Sequence, residues 1–151
     1  MSKRNTRARE GFLRRHSLSV VTALILAVWI VSYCVSDPET HFGSFFGNAI
    51  ADWTGVLVTV LATKFWYEKG SMESREPDDT GWFGVRKVVR DHSLTIFLAI
   101  TGLLWISLFA RMQAQSRWGQ VIGNIVSEWT QLLGLLWLTK SLVEPRSKES
   151  R

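Results

Sequence analysis

Apolar residues in this chain gather in four long runs divided by short polar stretches, unlike the short alternating segments of a soluble sheet. The runs lie at about residues 17–35, 44–67, 94–110 and 120–143. About 18 or more apolar residues in a row suit a helix that crosses a bilayer. The pattern therefore predicts an all-α fold of four transmembrane helices. Pro38 and Pro145 mark stops, because proline lacks the amide donor and disfavours helix in the residue before it. Asp78-Asp79-Thr80-Gly81 reads as a turn. The following Trp82-Phe83-Gly84-Val85-Arg86-Lys87-Val88-Val89-Arg90 mixes aromatics with cations, as does a short helix lying on a membrane surface. An ordinary juxtamembrane linker fits the same residues. Phe65-Trp66-Tyr67 reads as the aromatic belt of a membrane–water boundary.

The runs come in two pairs. Gly47-Asn48-Ala49-Ile50-Ala51-Asp52-Trp53-Thr54 returns 76 residues later as Gly123-Asn124-Ile125-Val126-Ser127-Glu128-Trp129-Thr130. The same offset carries His16-Ser17-Leu18 onto His92-Ser93-Leu94, Trp29 onto Trp105 and Thr63-Lys64 onto Thr139-Lys140. It carries Glu68 and Ser71 onto Glu144 and Ser147, and no gap is needed from residue 14 onward. About a third of the paired positions are identical, which makes this a tandem duplication. The expected organisation is a basic segment at 1–16, a first hairpin at 17–67, a connection at 68–91, a second hairpin at 92–143 and a tail at 144–151. Each repeat supplies two spans, so the hairpins are parallel-related and not inverted.

Composition narrows the picture further. The chain has 151 residues, 46% hydrophobic, and a net charge of +5. Nucleic-acid binding is one reading of such a charge, but the cations lie where membrane topology puts them. They crowd the N-terminal segment, the 64–91 connection and the stretch from Lys140, and residues 36–43 have none. The rule that cytoplasmic loops carry excess Lys and Arg then predicts both termini in the cytoplasm. The first span resembles a signal peptide only superficially: it is long, Ser32-Tyr33-Cys34 is a poor cleavage site, and its repeat counterpart is internal. Cys34 is the lone cysteine, which excludes an intrachain disulfide and argues against a thiol metal cluster. No HExxH, GxSxG, phosphate loop or CxxC is present, so no enzyme, cofactor or metal is expected.

Candidate chemistry centres on Asp52 and Glu128, one acid at the same place in each second span. Eight residues into the run is roughly 12 Å at helical rise. A carboxylate near the bilayer centre costs about 2.5–3.5 kcal/mol, so it calls for a partner or a purpose. Asn48, Asp52, Thr59 and Thr63 make a polar stripe, and Asn124, Glu128, Gln131 and Thr139 make its counterpart. Three readings stay open. The stripes form a clasp that sets helix pairing and assembly; the acids conduct protons or cations; or Trp53 and Trp129 mark the outer interface and leave the acids wet. His16 and His92, at the inner ends, read as imidazoles at headgroup level, too far from these acids for joint catalysis. Lys64 and Lys140 read as cations reaching for the interface, and Trp29 and Trp105 as packing residues.

The layout resembles an uncharacterised family of small bacterial integral membrane proteins built from two tandem hairpins. The matching pieces are His16-Ser17-Leu18, Asp52-Trp53, Gly70-Ser71-Met72-Glu73-Ser74-Arg75 and their copies. The family pattern has a further Glu shortly after the Trp, where Val56 and Leu132 stand here, so no role of that residue carries over. The resemblance implies a fold and a bacterial inner-membrane location, and no established activity. The expectation is a non-enzymatic multi-pass protein of structural or interaction type, with the bilayer and a second copy of itself as partners and any ion or small-molecule substrate unspecified.

Overall fold

The computed structural model describes residues 16–71 and 83–142. Among these the elements are five helices and no strand: α1 (Ser17–Val35), α2 (His41–Phe65), α3 (Val85–Asp91), α4 (Ser93–Arg111) and α5 (Arg117–Ser141). Four of them, α1, α2, α4 and α5, are long and apolar enough to cross a membrane. The expected basic N-terminus, the turn at 78–81, Trp82, Pro145 and the tail lie outside the described residues.

The helices repeat with the spacing of the sequence. α1 and α4 are both 19 residues long, α2 and α5 both 25, and each bound recurs 76 residues on. α2 and α5 begin three residues before the apolar runs do, at His41 and Arg117. The reason is a capping turn made from polar residues. In the first copy, Thr40 Oγ1 donates to the Asp37 carbonyl at 2.7 Å and accepts from the Gly43 amide at 3.1 Å. In the second, Ser116 Oγ donates to the Gln113 carbonyl at 2.6 Å and accepts from the Gly119 amide at 3.1 Å. Each hydroxyl satisfies an amide that the first helical turn leaves without an intrahelical partner.

Two compact units divide the chain, Met1–Val60 and Leu61–Arg151, with the division inside α2. In the first, Trp29 of α1 packs edge-on to Phe45 and stacked on Phe46 of α2, with ring centroids 5.7 and 5.9 Å apart. In the second, α4 and α5 run antiparallel. Near the end of α4, Phe109 fills the space over Gly123; farther back along α4, Trp129 lies over Gly102. Trp129 also meets Trp105 edge-on at 5.7 Å and donates from its indole nitrogen to Thr101 Oγ1 at 2.9 Å. Small residues opposite aromatic ones let the two helices approach closely, which is how helices associate where lipid removes the hydrophobic drive. The expected packing role of Trp29 and Trp105 is what the contacts give. On α5, Val121, Ile125, Trp129, Leu136 and Thr139 form the buried side, a spacing that keeps them on one helical face.

Candidate functional site

The convergence of polar groups in the second unit occurs where the chain leaves α2. Glu68, three residues past the helix end, is 2% exposed. Burial of a carboxylate needs donors, and three are in place. Its Oε2 accepts from Thr95 Oγ1 at 2.6 Å. Its Oε1 accepts from Lys140 Nζ at 2.9 Å and lies 2.7 Å from His92 Nδ1. An ionised carboxylate has no hydrogen to give, so the ring hydrogen sits on Nδ1. Thr95 and Lys140 belong to α4 and α5, and His92 is the residue before α4. One side chain therefore ties the segment after α2 to two others, the start of α4 and the end of α5.

Backbone and hydroxyl contacts hold the carboxylate there. Glu68 and His92 form an antiparallel bridge. The Lys69 amide donates to the Asp91 carbonyl at 2.7 Å, and the Leu94 amide to the Tyr67 carbonyl at 3.1 Å. Ser93 Oγ accepts from the Tyr67 amide at 2.9 Å and donates to the Tyr67 carbonyl at 3.1 Å. Gly70, at φ +88°, turns the segment in the left-handed region that suits glycine. Ser71 Oγ and Thr139 Oγ1 then meet at 3.2 Å. Below the cluster Trp66 stacks on Phe97, the rings 3.9 Å apart and nearly parallel.

Burial pushes the Glu68 carboxyl up, but hydrogen bonds from Thr95, Lys140 and His92 together with the Lys140 charge outweigh it and hold it below the ordinary 4.5. Glu68 therefore sits ionised at neutral pH. A His–carboxylate pair can serve acid–base chemistry, but the hydroxyl next to this one is committed: Ser93 is engaged with Tyr67. The arrangement ties the segment after α2 to the start of α4 and the end of α5. Among the described residues no group of three or more His, Cys, Asp or Glu side chains is placed to hold a metal.

The residues singled out from the sequence are placed as follows. Asn48 and Asp52 are exposed on α2, and Thr59 and Thr63 are half-buried. Asn124 and Glu128 are half-buried on α5, and Gln131, exposed, donates to Glu128 at 3.2 Å. Thr139 is buried, but its partner is Ser71, about 16 Å along α5 from Glu128 at helical rise. Cys34 is exposed. Two readings change. Lys140 reaches inward to Glu68 instead of outward to the interface. Tyr67 is buried and Trp66 packs on Phe97, so of the expected aromatic belt only Phe65 is exposed.

Glu68 was the residue that spacing alone did not single out. A signal was there nonetheless. Glu68, Ser71, His92, Ser93, Thr139 and Lys140 are each identical to their counterpart in the other repeat, and the fold gathers all six. Comparison with family models, curated proteins and solved structures produced no match. The functional reading accordingly rests on the geometry of this chain.

Proposed function

We propose that the chain is a non-enzymatic protein of the bacterial cytoplasmic membrane, two tandem hairpins with both termini in the cytoplasm, whose polar groups serve helix pairing and self-assembly. The observation that carries this is Asp52. It is the twelfth residue of a 25-residue apolar helix and its side chain is exposed. At 1.5 Å per residue that is roughly 16 Å from the start of α2, near its midpoint. A carboxyl facing lipid at that depth is costly, whereas an isologous contact with a second copy brings the same polar stripe from each side. The Glu68 cluster supports the same reading, since its polar groups join chain segments and leave no reactive hydroxyl.

Asp52→Asn combined with Glu128→Gln tests the reading. Amides still hydrogen-bond, so crosslinking in native membranes is expected to yield the same oligomer as the wild type. Asp52→Leu is expected to reduce crosslinked dimer at least severalfold. Loss of proton or cation flux in liposomes on the amide changes, with flux present in the wild type, would instead assign the two acids to a conduction path. Monomer as the sole wild-type species removes the assembly role.

A further inference from the structure

The short helix α3 carries two unlike sides. Val85, Val88 and Val89 recur at i, i+3 and i+4, which places them on one side of a helix. Arg86, Lys87 and Arg90 fall on the other. None of the three valines is covered: their exposures are 79%, 59% and 50%, and Phe83 just before the helix is 84% exposed. Arg86 and Lys87 are also exposed, while Arg90 is committed to Asp91 Oδ1 at 3.1 Å. The position of α3 is fixed by its C-terminal end. Its cap, His92, is also the N-cap of α4 and lies against Glu68, and the Asp91 carbonyl accepts from Lys69. The helix therefore ends where a helix apolar enough to cross a bilayer begins. Four large apolar side chains held at that level, with two uncommitted cations across the helix, match the boundary between acyl chains and anionic headgroups.

We propose that α3 is a lipid-binding element: Phe83, Val85, Val88 and Val89 enter the acyl boundary, and Arg86 and Lys87 hold the phosphates of anionic phospholipids. This rests on insertion of the chain in a bilayer. The Glu68 cluster fixes the end of α3, so lipid contact and helix fastening share one joint. Each of the two cations contributes about fivefold to the preference for anionic over zwitterionic headgroups.

Spin labels test this on the full chain in a Cys34→Ser background, reconstituted in vesicles of phosphatidylcholine alone or mixed with phosphatidylglycerol. Labels go singly at Val85, Val88, Val89, Arg86 and Lys87, with Leu104 on α4, also exposed, as reference. In the anionic mixture the valine sites are expected to collide with oxygen, as Leu104 does, and the two cation sites with a water-soluble nickel reagent. Valine sites open to nickel while Leu104 is not would overturn the lipid role and leave insertion standing. Valine sites shielded from both reagents would mean a protein covers α3, and would overturn it too. Leu104 open to nickel would overturn insertion itself, and the proposal with it. Arg86→Gln with Lys87→Gln is expected to abolish the difference between the two vesicle types; an unchanged difference removes the headgroup contact.

Discussion

Glu68→Ala is expected to destabilise the protein by about 2–4 kcal/mol, because it strands three donors from two chain segments at once, His92 and Thr95 at the start of α4 and Lys140 at the end of α5. Thr95 Oγ1, at 2.6 Å, loses its acceptor, and Lys140 loses its counter-charge. Both Lys140 and His92 are partly exposed, at 38% and 41%, so water relieves some of the loss and the effect stays below that of a fully buried pair. Equilibrium unfolding in mild detergent, followed by near-ultraviolet circular dichroism of the tryptophans, measures it. Lys140→Met should cost clearly less in a Glu68→Ala background than in the wild type, since a contact already broken cannot be broken twice. A loss under about 0.5 kcal/mol for Glu68→Ala would mean the cluster fastens nothing.

The same carboxylate makes stability depend on pH in a definite direction. Its folded pKa lies below the ordinary 4.5, so the stabilisation is in full effect above that value and is lost as pH falls through the lower, folded value. Melting temperature is expected to drop across that acid window, and Glu68→Gln should drop less there because nothing at that position titrates. Equal acid sensitivity in both proteins would place the effect in other carboxylates.

The four long apolar helices were legible because a bilayer-crossing helix asks for apolar length, and length is a local property of sequence. α1 matches its apolar run end to end. The starts of α2 and α5 were not legible from hydropathy, because His41 and Arg117 are polar and helical for a different reason, the hydroxyls of Thr40 and Ser116. Glu68 escaped for a third reason. One acid among the six of a polar connection reads as solvated, and what contradicts that lies 24, 27 and 72 residues away at His92, Thr95 and Lys140. Only the tertiary fold gathers such distant groups. Duplication offered indirect access: a polar residue retained in both copies outside the apolar runs has no membrane pattern to explain it. By that argument the paired residues at the helix ends were stronger candidates than Asp52 and Glu128, which stand inside apolar runs.

Duplication also makes the second large effect testable twice in one molecule. A Cβ on Gly43 would overlap the Asp37 carbonyl oxygen, and a Cβ on Gly119 would overlap that of Gln113. The nearest obstacle in each case is a backbone carbonyl, tied in by the capping hydroxyl of Thr40 or Ser116, and at Gly119 the Ser116 hydroxyl itself also crowds the site. Alanine at either site forces the turn to open and takes away the amide–hydroxyl contact that starts the helix. The expected cost is about 2–4 kcal/mol for Gly43→Ala and the same for Gly119→Ala, at the large end for a single methyl group. Thr40→Ala and Ser116→Ala, which remove the cap without crowding the backbone, should cost only about 1 kcal/mol each. Unfolding midpoints of the four variants in detergent decide the matter. If the alanine-for-glycine changes cost no more than the cap deletions, the turn opens freely and the close approach is not what fixes where α2 and α5 begin. If they cost several times more, the turns before α2 and α5 are rigid corners.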